Sequence, residues 1–254
     1  MSDAQTEPKA APDGQNTPDG PITDQTLAEL RQLADRYPEP RSALLPMLHL
    51  IQSVEGRVSS RGVEVCADLL GLTAAQVAGV ATFYTMYKRR PAGRHHIGVC
   101  TTALCAVMGG DEVLRAVQDK LGLEPEQTTA DGLFSLERLE CNAACDFAPV
   151  MMVDWEFMDN MTPAQAEALL DDLAADRPVQ STRGATITSW RQAERVLAGF
   201  SDGLADEGPS AGPSSLRGVE LARQSGWTAD AFQPPPSAAT ASAEPAPTSQ
   251  GASK

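Results

Sequence analysis

Residues 96–105 read His-Ile-Gly-Val-Cys-Thr-Thr-Ala-Leu-Cys, an apolar run that opens into two cysteines. The run 96–100 is predicted to be a strand that ends at Cys100. A second predicted strand, 134–139, is followed in the same way by Cys141 and Cys145. Both cysteine pairs therefore leave strand ends and enter loops, where one shared site can be built.

The segments around these two strands predict an α/β domain. A helix is predicted at 110–121, and a short strand is predicted at 150–153, which residues 155–158 continue or pair with. A last helix begins at Thr162, because Thr162, Pro163 and Gln165 supply the N-cap, the first-turn proline and the capping-box partner. The order strand, helix, strand, strand, helix over residues 93–182 fits a thioredoxin-like domain.

Four predicted helices before residue 92 indicate a second, helical domain. Their apolar residues recur at helical spacing, and short loops join them, so residues 22–92 are expected to form a four-helix bundle. Capping boxes are predicted for Thr26 with Glu29 and for Thr73 with Gln76. The fold class is therefore α+β, with a helical bundle followed by the thioredoxin-like domain.

Both ends of the chain have the composition of disordered segments. Residues 1–21 are polar and rich in proline without an apolar period, and residues 233–254 are of low complexity. The extension 183–254 is expected to be mostly disordered, with short helices at 190–200 and 216–227. We expect at least one of these helices to pack on a partner subunit.

The bulk composition excludes some classes of partner. The net charge of −14 repels phosphate backbones, so no nucleic acid is expected to bind. No signal-peptide pattern and no apolar stretch of spanning length is present, which predicts a cytoplasmic chain without direct membrane insertion. In a reducing cytoplasm, paired cysteines indicate metal or redox chemistry rather than structural disulfides.

The two cysteine pairs have the spacings C-x4-C and C-x3-C. Thiolates select zinc or iron–sulfur clusters, and a [2Fe–2S] cluster takes two thiolates on each iron, so one pair can serve each iron. A four-cysteine zinc site and a redox disulfide stay open as alternatives, although both favour C-x2-C spacing. Cys66 is expected to be a small buried hydrophobic residue. His95 and His96 are expected at the surface or on an edge strand.

Five stretches carry a resemblance to a known family. They read Val-Cys-Thr-Thr-Ala-Leu-Cys at 99–105, Gly-Gly-Asp-Glu at 109–112, Cys-Asn-Ala-Ala-Cys-Asp-Phe-Ala-Pro-Val-Met-Met at 141–152, Ala-Thr-Phe-Tyr at 81–84 and Asn-Met-Thr-Pro at 160–163. Together they closely resemble the E-subunit family of NADH-quinone oxidoreductase, respiratory complex I, over about residues 24–176. The resemblance implies a four-helix domain, a thioredoxin-like domain and one [2Fe–2S] cluster with the ligands Cys100, Cys105, Cys141 and Cys145.

The second cysteine loop departs from the usual family pattern. The family often has glycine inside and just after this pair, where the present chain has Ala143, Ala144 and Asp146. Because aspartate tolerates left-handed backbone, we expect Asp146 to keep the turn.

The resemblance also implies a function and partners. The chain would be an electron-transfer subunit of the translocating NADH-quinone oxidoreductase, without catalysis of its own, at the cytoplasmic face of the membrane. No G-x-G-x-x-G follows a predicted strand and no Walker A sequence occurs, so FMN and NADH are expected on a flavin-bearing partner subunit, beside other peripheral-arm subunits. The alternatives are the homologous [2Fe–2S] subunit of a soluble NAD-dependent formate dehydrogenase or NAD-reducing hydrogenase, and a zinc-stapled interaction module.

Overall fold

The structure, a computed structural model, describes residues 22–204, 207 and 213–227. The described residues up to 207 belong to one compact unit, and the described residues 213–227 belong to a second. The disorder predicted for residues 1–21 and 233–254 lies outside the described residues.

The predicted helical region is confirmed. It contains α1 (Asp24–Ala34), α2 (Leu44–Glu55), α3 (Ser60–Leu70) and α4 (Ala74–Phe83), with a 3₁₀ turn at Pro40–Ala43 before α2. Leucine, isoleucine and valine side chains from these helices pack into one core that includes the buried Cys66. Burial raises the pKa of the Cys66 thiol to about 12, so this thiol stays protonated, as the sequence predicted for a small hydrophobic residue.

The first helix begins earlier than its predicted cap. The residue that caps α1 is Thr23, whose hydroxyl accepts a hydrogen bond from the Thr26 N–H, so the capping box predicted for Thr26 and Glu29 is wrong. Both threonines are acceptable caps, because they are three positions apart in the chain and either one precedes an apolar turn. The capping boxes predicted at Thr73 and Thr162 are confirmed.

The second half of the chain forms a five-stranded mixed sheet. The strands are β1 (His95–Cys100), β2 (Gln127–Thr128), β3 (Phe134–Leu139), β4 (Met151–Val153) and β5 (Glu156–Met158), in the spatial order β2-β3-β1-β4-β5. Strand β1 pairs in parallel with β3 and antiparallel with β4. The helices between and after the strands are α5 (Ala103–Val107), α6 (Gly110–Leu121) and α7 (Pro163–Ala174).

Helices α6 and α7 pack on each other and share a core with the sheet. Ile97 and Val99 of β1 lie in this core with the apolar side chains of both helices. Because side chains alternate along a strand, His96 points to the opposite face of the sheet. The α+β fold class predicted from the sequence is confirmed.

The extension contributes helix α8 (Trp190–Leu197), which packs against α2 of the same chain. Trp190 is fully buried, and Glu194 is buried where it accepts hydrogen bonds from Gln52 Nε2 at 2.8 Å and Trp155 Nε1 at 2.7 Å. The Nδ1 atom of His49 lies 2.6 Å from the same carboxylate. Helix α9 (Pro213–Gln224) lies in the other unit, and packing of an extension helix on a partner subunit stays a prediction.

The expectation that His95 and His96 lie at the surface or on an edge strand is wrong. Strand β1 lies inside the sheet, and both histidines are buried. His95 Nδ1 lies 2.7 Å from Asp154 Oδ2, and His96 Nε2 lies 2.8 Å from Glu137 Oε2. These carboxylates come from β3 and the turn after β4, so each histidine meets its partner only when the sheet forms.

Glu137 is the centre of this buried polar layer. Lys88 Nζ donates a hydrogen bond of 2.6 Å to the carboxylate that His96 also contacts. Burial disfavours the charged form, but His96 and Lys88 outweigh it and hold the pKa of Glu137 below its ordinary value.

Among the described residues, no single helix has the length and hydropathy needed to cross a membrane. Helices α3 and α4 have the required length and hydropathy only when they are counted together, and the chain bends by 120° at the loop that joins these two helices.

Candidate iron–sulfur site

The parallel pairing of β1 with β3 brings the two cysteine pairs to one edge of the sheet. Cys100 is the last residue of β1 and lies opposite Leu139, the last residue of β3. The carboxyl ends of neighbouring parallel strands meet at the same edge, so the loops that follow them are adjacent. Cys105 lies in α5 and Cys141 in the loop after β3, while Cys145 opens a 3₁₀ turn that ends at Phe147.

The four sulfur atoms form two pairs. Cys141 Sγ lies 4.0 Å from Cys145 Sγ, and the thiols of Cys100 and Cys105 are within hydrogen-bonding reach of each other. Cys141 and Cys145 are exposed, whereas Cys100 and Cys105 are buried. Each of the four is a free thiol, and among the described residues no three His, Cys, Asp or Glu side chains are grouped tightly enough to hold a single metal ion.

Backbone N–H groups point at these sulfur atoms. The Ala143 N–H donates to Cys141 Sγ over 3.3 Å, and the N–H groups of Thr102 and Asn142 donate to the Cys100 sulfur. The N–H of Val150 serves Cys105 in the same way. Donors of this kind stabilise negative charge on sulfur, whether it is a thiolate or part of a metal centre.

The environment shifts the thiol pKa values in different directions. Burial opposes ionisation of Cys100, but hydrogen bonds from the Thr102 backbone and hydroxyl and from Cys105 outweigh it and lower its pKa. Burial raises the pKa of Cys105 to about 11, with the neighbouring thiols of Cys100 and Cys145 adding to the effect. The hydrogen bond with Cys141 raises the pKa of Cys145. The thiols therefore influence one another's ionisation, as expected of groups that share one site.

Close backbone contact holds the first cysteine loop. A Cβ atom on Gly110, the first residue of α6, would lie 2.6 Å from the Cys100 carbonyl oxygen and 2.8 Å from that of Cys105. Only glycine allows α6 to begin this close to the loop. Beneath the sulfurs, the apolar residues Ala144, Ala148 and Val150 pack with Cys100 and Cys105 and keep water away from the buried pair.

The extension reaches the second cysteine loop through Arg183. Its guanidinium lies 3.8 Å from the centre of the Phe157 ring and 5.6 Å from that of Phe147, in the turn that Cys145 opens. The same group forms a two-pronged pair with Asp159, at 3.0 and 3.1 Å. Sequence reasoning missed this support, because nothing in the local sequence links Arg183 to a loop about forty residues earlier.

The residue that takes left-handed backbone in the second loop is Ala143, with φ of 55°. The expectation that Asp146 would keep this turn is therefore wrong, since Asp146 lies within the 3₁₀ turn at Cys145–Phe147. An alanine in this conformation carries a cost of about 1–2 kcal/mol, which a glycine would not.

One buried polar atom of the site has no partner. Asn142 Nδ2 is shielded from solvent and makes no hydrogen bond among the described residues. Four thiols, at least four N–H donors and an unused amide N–H suit a sulfur-rich, negatively charged group, and they fit a [2Fe–2S] cluster in the donors they supply.

Comparison with known proteins agrees with this chemistry. A family profile for thioredoxin-like [2Fe–2S] ferredoxins matches residues 30–174. The E subunit of NADH-quinone oxidoreductase from Mycobacterium tuberculosis is 49% identical over 197 residues, which cover 77% of this chain and 78% of that protein. The E 2 subunit of the Rhizobium meliloti enzyme is 36% identical over 157 residues, 62% of this chain and 94% of that protein.

Among solved structures, an NAD⁺-reducing [NiFe]-hydrogenase in its H₂-reduced state matches with a TM-score of 0.48 and 21% identity. The match covers 53% of this chain and 22% of the hydrogenase chain.

The chain therefore belongs to the thioredoxin-like [2Fe–2S] ferredoxin family, among the E subunits of NADH-quinone oxidoreductase. Membership of this family implies a [2Fe–2S] cluster and a role in electron transfer.

Proposed function

We propose that Cys100, Cys105, Cys141 and Cys145 hold one [2Fe–2S] cluster, with one pair on each iron. The observation that carries the proposal is the gathering of four free thiols, in two pairs, where the parallel strands β1 and β3 end. The unused donor on Asn142 and the N–H groups on the sulfurs support it, because each stabilises negative charge on a sulfur ligand.

The residues of this chain bind and shield the group. The cysteine thiolates ligate iron, the N–H donors of the loops lower the energy of the more negative state, and Ala144, Ala148 and Val150 exclude water from one side. When bound, a [2Fe–2S] cluster gains or loses one electron at a time. Hydride transfer from NADH therefore needs a two-electron cofactor on another chain.

We propose that this other chain is the flavin-bearing, NADH-binding subunit of NADH-quinone oxidoreductase, and that the cluster exchanges single electrons with its FMN at the cytoplasmic face of the membrane. Support comes from the 49% identity with an E subunit of that enzyme. An apolar patch beside Cys105 suits such an interface: Leu104, Val107 and Met108 are 45%, 82% and 56% exposed.

The experiment is a pull-down of the tagged chain under anaerobic conditions. A flavoprotein should be retained, the assembly should reduce a quinone with NADH, and the isolated chain should not oxidise NADH. A partner that oxidises formate or hydrogen instead would assign the chain to one of the soluble assemblies. A self-sufficient monomer that reduces small soluble redox proteins would overturn the proposal.

A matched pair of variants tests where the partner binds. Val107→Glu places a charge in the patch beside Cys105 and should weaken retention of the flavoprotein at least tenfold. Val196→Glu makes the same change on α8, where the side chain is 40% exposed, and should leave retention unchanged. Equal retention by both variants would exclude the patch as the docking surface.

A further inference from the structure

Asn142 carries the one buried side-chain donor of the cysteine loops that lacks a partner in the part of the chain the structure describes. Its Nδ2 atom is shielded from water and makes no hydrogen bond. A buried N–H group without an acceptor destabilises the fold, and folded proteins seldom leave one unpaired. We therefore expect the Asn142 amide to have a hydrogen-bond acceptor in the functional, cofactor-loaded protein.

The position of Asn142 identifies the chemistry of that acceptor. The residue directly follows Cys141, and its own backbone N–H donates to the sulfur of Cys100, so it lies between the two cysteine pairs. The next two residues, Ala143 and Ala144, have only methyl side chains and offer no side-chain acceptor. The acceptors expected between the pairs are thiolate sulfurs and inorganic sulfides, which are negatively charged and attract the amide N–H₂ rather than its carbonyl oxygen.

We propose that the Asn142 side-chain amide donates a hydrogen bond to a sulfur atom of the cluster and raises its reduction potential. This inference rests on the proposed function, because it requires the cluster on the four cysteines. A donor stabilises the reduced state more than the oxidised state, since reduction adds negative charge to the sulfurs. Asn142 is thus a positioning residue that sets how readily the cluster accepts an electron.

The direct test detects the amide nitrogen at the cluster without a change at the site. The chain has three asparagines, Asn16, Asn142 and Asn160, so the double variant Asn16→Ser/Asn160→Gly leaves Asn142 alone. Glycine suits position 160, where φ is 54°. Protein grown with asparagine labelled with ¹⁵N only in its side chain, then reduced, should show a ¹⁵N hyperfine coupling in pulsed EPR. A labelled, reduced cluster without this coupling would overturn the inference.

The second test measures the potential. Asn142→Leu removes the donor at similar volume, and Gln118→Leu makes the same amide-to-aliphatic change on α6, away from the cysteines. At an ambient potential equal to the wild-type midpoint, Asn142→Leu should lower the ratio of reduced to oxidised cluster at least threefold, where tenfold corresponds to about 59 mV. Gln118→Leu should leave the ratio unchanged.

Equal ratios in the two variants would contradict the proposed role of the amide. Iron and sulfide analysis of the wild-type protein separates the two proposals. A cluster that lacks the ¹⁵N coupling contradicts the role of Asn142 alone, whereas a wild-type chain without iron and sulfide contradicts the proposed function as well.

Discussion

Replacement of Trp190 by alanine tests whether the extension is part of the folded core. Trp190 is 0% exposed, in the first turn of α8, and its ring lies 6.4 Å from that of His96 at the back of the sheet. The Trp190 side chain therefore connects α8 to the buried His96, on the face of the sheet opposite α6 and α7. Its Nε1 atom has no hydrogen-bond partner among the described residues, so its contribution comes from packing alone.

The magnitude follows from the buried area. A fully buried tryptophan removes up to about 250 Å² from water, which at about 25 cal/mol per Å² gives an upper bound of about 6 kcal/mol. Partial relaxation of the cavity brings the expected loss to about 3–5 kcal/mol. Trp190→Phe keeps most of the volume and removes the unpaired N–H, so it should cost less than about 1.5 kcal/mol.

The assay is urea unfolding of the cluster-loaded protein, followed by far-UV circular dichroism under anaerobic conditions. At a slope of about 2 kcal/mol per M, Trp190→Ala should lower the midpoint by about 1.5–2.5 M. The matched control is Trp227→Ala, because Trp227 is 72% exposed and its loss should change stability by about 0.5 kcal/mol or less. Equal midpoints for the two alanine variants would refute the assignment of α8 to the core.

Three further changes probe the site and its support. Arg183→Ala removes a stacked guanidinium and should lower the free energy of unfolding by about 1–2 kcal/mol. The cluster should therefore bleach about 5- to 30-fold faster with a chelator. Arg177→Ala, which removes only a surface ion pair, is the control and should bleach like wild type. Glu137→Gln should lose about 1–3 kcal/mol at pH 7. The folded-state pKa of Glu137 is lowered, so the contribution of its carboxylate to the free energy of unfolding is present above the ordinary pKa of 4.5 and is lost as pH falls through the folded-state pKa. The difference in urea midpoint between Glu137→Gln and wild type should therefore shrink below pH 4.5. A constant difference would contradict the pairing of Glu137 with His96 and Lys88. Ala143→Gly relieves left-handed backbone and should slow cluster loss on heating, and a faster loss would show that the loop is not strained there.

Local patterns in the sequence predicted most of the elements, and they predicted the ligand set that we propose. Helix caps at Thr73 and Thr162 and the apolar periods of α3, α6 and α7 depend on neighbours within one turn, so sequence spacing is enough to identify them. The cysteine pairs could be linked because each follows a strand, although only the sheet shows that β1 and β3 are parallel neighbours.

The error at His95 and His96 concerns hydrogen-bond partners that are far apart in the chain. His96 and Glu137 are 41 residues apart, and His49 and Glu194 are 145 apart, so no local pattern indicates that these polar groups are paired and buried. Intrinsic tolerance of left-handed backbone predicts Asp146 as the residue that makes the turn, whereas the loop has this conformation at Ala143. Loop closure around the sulfurs decides this choice more strongly than residue preference.

The most direct test of the central claim is the iron and acid-labile sulfide content of the anaerobically purified chain and its cysteine variants. We expect about two irons and two sulfides per chain in the wild type and in Cys66→Ala, whose thiol is buried in the helical core. Each of Cys100→Ala, Cys105→Ala, Cys141→Ala and Cys145→Ala should lose the cluster or hold it poorly. One zinc per chain without sulfide, or full cluster content in any of these four variants, would contradict the proposed cluster site.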